Sequence, residues 1–137
     1  MQTVRATIDG WVVVERQAMK LNIRSAIPET PAQQPCDVMV LSAHPDDAEF
    51  GAAGTVARWT QAGKRVVYIV CTTGDKGTTD RGLSPQNLTE MRKREQKAAA
   101  ALLGVEQVDF LGLPDQGLEE TPEFREEIVR IIRKYRP

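Results

Sequence analysis

One histidine, two cysteines and no apolar run longer than six residues: in a chain of 137, each of these scarcities closes off a class of protein. Cys36 and Cys71 form no C-x-x-C pair and no even framework, which argues against a disulfide scaffold and for a reducing compartment, the cytoplasm, with both thiols serving as small buried residues. Six apolar residues, as at Val66–Cys71, fall far short of the roughly 20 that a membrane-spanning helix needs, and the N-terminus carries no apolar signal-peptide core. Net charge is small as well. Eighteen Lys and Arg against 19 Asp and Glu leave a formal charge of −1, so no long-range field draws the chain to nucleic acid or to an anionic membrane. The length suits one domain with a real core.

What is present falls into two parts. Residues 1–35 set two β-rich runs around Asp9-Gly10, a dipeptide suited to a type I′ hairpin turn, and follow them with the three prolines of "IPETPAQQP". This predicts an N-terminal extension made of a hairpin and a proline-rich linker. From residue 36 to residue 137 the pattern is strand, loop, helix, repeated. "DVMVLSA" and "KRVVYIVCTT" are short continuous apolar runs, as in strands covered on both faces, and "VEQVDFLGL" is a third. Residues 48–62 place Phe50, Ala53, Val56 and Ala57 on one helical stripe. A second helix over 88–103 is announced by the capping-box spacing of Asn87 and Glu90 and closed by Gly104, with a stripe through Leu88, Met91, Ala98, Ala99 and Leu102. The third has Thr121 as N-cap and Pro122 at its first position, with Phe124, Ile128, Ile131 and Tyr135 on one face. Strand alternating with helix three times predicts an α/β fold, a Rossmann-like three-layer sandwich with a mostly parallel sheet. The chain stops at "YRP", where a returning strand is due. The expectation is an incomplete copy of a larger domain.

In open parallel sheets ligands bind beyond the carboxyl ends of the strands. The loops there are "HPDDAE", "TTGDKGTT" and "PDQG". His44 and Asp47 lie three positions apart at a strand-to-helix corner, with Pro45 fixing φ between them, so both can aim at one point. A nitrogen and an oxygen converging at about 2.0–2.2 Å are two of the ligands of a catalytic zinc, and Asp46 between them would then be placed to take a proton from water. The spacing of Asp46 and Glu49 equally describes a helix N-cap with acids in the first turn, and spacing alone does not decide. On the second helix Arg92 and Glu95 occupy positions that complete the apolar stripe. They are either an ion pair along its rim or an arginine reaching into the cleft to hold an oxygen-rich substrate, oriented by the glutamate. Asp115 in "LPDQG" is most simply a turn residue, and its loop opens on the same edge, which makes it a substrate-binding candidate. "GDKGTT" lacks the spacing of a phosphate-binding loop, which excludes a P-loop NTPase.

Taken in order, "AHPDD" after the first strand, "TTGDKG" after the second, "RKRE" leading to "LLGV", and "FLGLPDQG" resemble the PIG-L or LmbE-like deacetylases over about residues 37–137. The resemblance implies a zinc hydrolase that removes acetyl from a small N-acetylglucosaminyl conjugate. It implies zinc ligands at His44 and Asp47, a general base at Asp46 and a substrate-contacting arginine at Arg92; Asp75 stands where many members carry glutamate. The family's third zinc ligand is a histidine beyond a later strand, and no histidine follows His44. Three readings therefore stand: a zinc-dependent N-deacetylase or its N-terminal part, a non-catalytic Rossmann-like module binding a sugar or phosphate, and a homo-oligomer in which another chain supplies the missing ligand.

Overall fold

The computed structural model describes residues 35–137 together with two short strands nearer the N-terminus. The expected proline-rich linker lies almost wholly outside the described residues. Strand β1 (Thr7–Ile8) pairs antiparallel with β2 (Trp11–Val12), Ile8 opposite Trp11 and Thr7 opposite Val12, while the expected turn at Asp9-Gly10 lies outside the described residues. Chain contacts divide the protein into one unit of Met1–Thr30 and a second of Pro31–Pro137.

In the second unit β3 (Val38–Ser42), α1 (Asp47–Gln61), β4 (Val66–Thr72), α2 (Pro85–Leu102), β5 (Gln107–Leu113) and α3 (Pro122–Tyr135) follow one another. The three strands form one parallel sheet in the order β3-β4-β5, with Val38 opposite Val66 and Val67 opposite Gln107. Every residue of β4 is buried, as a continuous apolar run demands when both faces are covered. Its alternation divides the core. Val66 and Tyr68 pack with Ala48 and Val56 of α1 and Ala100 of α2, while Val67 and Ile69 pack with Ile131 and Tyr135 of α3 and with Cys36. Helices thus cover both faces, giving an open three-layer α/β sandwich. Cys36 and Cys71 are free and buried, and burial pushes both thiols above their ordinary range. Among the described residues no helix is long and apolar enough to cross a membrane.

The α3 face carries a polar lock. Asp109 on β5 accepts from the buried Tyr135 hydroxyl at 2.6 Å and from Lys134 Nζ at 2.8 Å, while the Cys36 amide donates to the Tyr135 carbonyl at 2.9 Å. Thr121 caps α3 by accepting from the Phe124 amide, Pro122 sits in its first turn, and Ile131 and Tyr135 are its buried positions, as the periodicity requires.

Two helix faces differ from the sequence expectation. Phe50 is 89% exposed and Leu102 90% exposed, whereas the buried positions are Ala48 and Val56 on α1 and Leu88, Gln96 and Ala100 on α2. The inward face of α2 runs through a glutamine, which an apolar count passes over. The cap of α2 also lies three residues earlier than Asn87: Ser84 Oγ accepts from the Asn87 amide, Pro85 opens the helix, and Glu90 pairs with Lys93 instead.

Candidate active site

The β3–α1 corner carries the site. After Ser42 the chain turns through Pro45, which is buried, into α1, whose N-cap position is Asp46. The Asp47 carboxylate folds back over the turn: its Oδ2 accepts from the His44 amide at 2.9 Å and stands 3.7 Å from His44 Nδ1. On the far side of the ring, His44 Nε2 lies 2.8 Å from Asp115 Oδ1, brought from the end of β5. Asp115 is 9% exposed, and its second oxygen accepts from the Lys76 amide at 3.2 Å. A carboxylate can only accept, so Nε2 bears a proton, and in the neutral ring the Nδ1 lone pair faces Asp47. A carboxylate–histidine pair of this kind fixes the tautomer of a metal-binding imidazole.

Asp75 braces the same loop. It accepts from Thr73 Oγ1 at 2.5 Å and from the Asp115 amide at 3.4 Å. The Thr73 hydroxyl foremost, with the Asp115 amide assisting, holds the Asp75 carboxyl below its ordinary value of 3.8.

Asp46 has φ 85°, in the left-handed region, and its side chain makes no capping hydrogen bond. The carboxylate instead receives Arg92 Nη2 at 3.2 Å, while Arg92 Nη1 reaches the Gly74 carbonyl at 3.4 Å. Glu95, expected to orient Arg92, is exposed, and the guanidinium turns to Asp46 and Gly74. Two glycines make its room. A Cβ at Gly74 would come within 2.7 Å of Arg92 Nη1, and one at Gly77 within 2.8 Å, so the glycines of "TTGDKG" form a cradle for a guanidinium. The Asp46 amide donates to Gln96 Oε1 at 2.8 Å, and Gln96 Nε2 donates to Glu49 Oε1 at 2.8 Å. Burial pushes the nearby Tyr68 hydroxyl up to about 12, with the charge of Glu49 adding to the effect.

The strand-end loops thus bring His44, Asp46, Asp47, Arg92 and Asp115 to one edge of the sheet. Gln96, the glycine cradle and the link from Asp115 to His44 escaped the sequence reading; an acid in a turn on the same edge as the lone histidine was the one available signal. Among the described residues no group of three or more His, Cys, Asp or Glu side chains is arranged to hold a metal. The side chains present nevertheless suit a metal that takes two of its ligands here, because His44 Nδ1 and a carboxylate oxygen of Asp47 stand 3.7 Å apart at one corner.

The PIG-L family profile, described as GlcNAc-PI de-N-acetylase, matches residues 39–137. The diacetylchitobiose deacetylase of Thermococcus kodakarensis is 42% identical over 100 residues, which cover 73% of this chain and 38% of that protein. The mycothiol S-conjugate amidase of Streptomyces coelicolor is 31% identical over 125 residues, covering 73% of this chain and 41% of that protein. Among solved structures, the N,N′-diacetylchitobiose deacetylase of Pyrococcus horikoshii, in complex with an inhibitor, superimposes with a TM-score of 0.72 at 34% identity, over 78% of this chain and 39% of that one. The chain spans less than half the length of these relatives. With the family profile covering all three strand-end loops, the chain belongs to the PIG-L family.

Proposed function

We propose that this chain carries the histidine–aspartate half of a zinc-dependent site that removes acetyl from an N-acetylglucosaminyl conjugate. The observation that carries the reading is the hydrogen bond from His44 Nε2 to buried Asp115, which orients the ring with Nδ1 toward Asp47. The relatives, named as deacetylases and an amidase, support an amide as the bond attacked.

His44 and Asp47 would hold the metal, which when bound supplies Lewis acidity and lowers the pKa of water from 15.7 toward about 7. Asp46, half exposed at the positive end of α1, receives the proton of the attacking water and returns it to the departing amine. Arg92, held between Asp46 and Gly74, offers its remaining N–H groups to the oxygens of the sugar. The products are acetate and a free amino sugar. Where the site is complete, acetate release from diacetylchitobiose, stopped by a chelator and restored by zinc, is the expected activity. Asp46→Ala abolishes the release and leaves zinc content unchanged; release that survives the substitution, or zinc lost with it, refutes these roles.

A second reading rests on the two-donor count: a module that binds a sugar or phosphate without catalysis. It predicts saturable sugar binding with neither zinc uptake nor acetate release. A site completed by another copy would instead take up zinc in step with oligomerisation.

A further inference from the structure

Asp46 is the one residue of the site whose backbone is strained. A non-glycine residue at φ 85° lies in a region that costs about 1–3 kcal/mol and persists only where its surroundings hold it. An acid at an N-cap would ordinarily sit in extended backbone, its carboxylate on the amide three residues on, with a glutamate at the third helical position reaching back to its own N–H. Glu49 stands at that third position, yet the reciprocal bonds are absent. Gln96 interposes between the two: the Asp46 N–H donates to its Oε1 at 2.8 Å, and its Nε2 donates to Glu49 Oε1 at 2.8 Å. A backbone N–H can only donate and a carboxylate can only accept, so the orientation of the Gln96 amide is fixed at both ends.

Gln96 is 3% exposed, a buried polar side chain on the inward face of α2, one turn beyond Arg92. The two residues grip Asp46 at separate points. Arg92 holds the carboxylate and Gln96 holds the main chain. The arrangement is not the cheapest one for Glu49, whose Oε2 is buried without a hydrogen-bond partner, as is the Tyr68 hydroxyl.

We infer that Gln96 is a positioning residue for the proposed reaction: by taking the place of the capping box it keeps the Asp46 backbone left-handed and the carboxylate out of a capping hydrogen bond, with Oδ2 on Arg92 and Oδ1 left for proton transfer. This rests on the reading of Asp46 as the base. Glu49 sets the direction of the Gln96 amide, so the pair works as one relay.

The test begins with the 137-residue chain free of zinc, in which hydrogen exchange of the Asp46 amide is followed by NMR. Gln96→Met removes both bonds and should speed exchange of that amide by about tenfold or more. Gln96→Glu sets two carboxylates against each other and should do the same. The exchanged pair Glu49→Gln with Gln96→Glu rebuilds the relay with donor and acceptor reversed, and should restore protection to within about threefold of the parent. Restoration by the double variant cannot come from a general loss of helix packing. In samples whose zinc site is complete and loaded, the single variants should lower kcat about tenfold or more with KM little changed, and the double variant should recover most of it. Unchanged exchange in Gln96→Met, or no recovery in the double variant, overturns the inference. Exchange that quickens and recovers as expected while kcat stays level keeps the backbone clamp but overturns its part in the reaction, and Asp46→Ala reads the role of Asp46 separately, so failure of the functional reading is told apart from failure of this one.

Discussion

Asp115→Asn tests whether the tautomer of the lone histidine is set from behind. Both carboxylate oxygens of Asp115 accept from N–H groups, one from His44 Nε2 at 2.8 Å and one from the Lys76 amide at 3.2 Å, and at 9% exposure little water reaches them. Asparagine offers one acceptor and one donor in their place. The Lys76 amide can only donate, so the arrangement without a donor–donor clash puts the asparagine oxygen on Lys76 and its NH2 on His44. Nε2 must then accept, and the proton moves to Nδ1, the nitrogen facing Asp47. Returning Nδ1 to a metal-binding state requires turning the amide back, which sets its NH2 against the part-buried Lys76 N–H, at about 1–3 kcal/mol, or roughly 5- to 150-fold in zinc affinity. That spans the roughly 10–100-fold effect found when partners behind a metal ligand are changed. With one histidine in the chain, the imidazole 15N resonances need no assignment. The parent should show a protonated Nε2 and a bare Nδ1, the variant the reverse, and a competition titration against a chromophoric chelator should show the loss in zinc affinity. A proton on Nδ1 in the parent, or a variant with the same tautomer and the same affinity, refutes the reasoning.

Gly77→Ala should displace Arg92 without unfolding the chain. The added carbon would lie 2.8 Å from Nη1 at the end of a flexible side chain, so stability should stay within about 0.5 kcal/mol while KM rises about tenfold; an unmoved guanidinium in the variant's crystal structure would sink the cradle. Asp109→Asn should cost about 2 kcal/mol in urea unfolding, since the Tyr135 hydroxyl and Lys134 lose a charged acceptor. Burial pushes the Asp109 carboxyl up, but Lys134, Tyr135 and Gln107 together hold it below its ordinary 3.8; its contribution is complete above that value and is lost as pH falls through the lower folded-state value. Lys134 runs the other way: burial lowers it, its bond to Asp109 raises it above 10.5, and that contribution is lost as pH rises past the higher value. The urea midpoint of the parent should fall at both extremes, and an equally steep acid fall in Asp109→Asn would refute the assignment.

The fold was legible because its signals are local. An unbroken apolar run such as Val66–Cys71 has one comfortable place, the middle strand of a parallel sheet covered on both faces, and every residue of β4 is buried there. Thr121 and Pro122 announced α3 by chemistry confined to one turn. The pattern of apolar residues does not foretell burial where a helix faces two neighbours at once. Burial on α2 follows Gln96 and Ala100, not Ala98 and Leu102, because Gln96 reaches across to Glu49 and the Asp46 amide on the α1 side, and no periodicity of apolar residues records such a contact.

The site divides along the same line. His44 and Asp47 are three positions apart in sequence, so their meeting at a strand-to-helix corner could be read from spacing. What gives the residues of this corner their state comes from far along the chain: Asp115, 71 residues from His44; Gln96, 50 from Asp46; Arg92, 46 from Asp46. Parallel pairing makes these partners adjacent by placing every strand-end loop on one edge, with α2 alongside. Sequence spacing therefore proposes the groups that would do the chemistry, while the topology supplies the groups that hold them: a tautomer set by a buried acid, a carboxylate held by a guanidinium between two glycines, a strained backbone held by an amide. Those holding contacts are why an alanine added at Gly77, which touches neither metal donor nor base, is expected to act on the site while leaving the core intact.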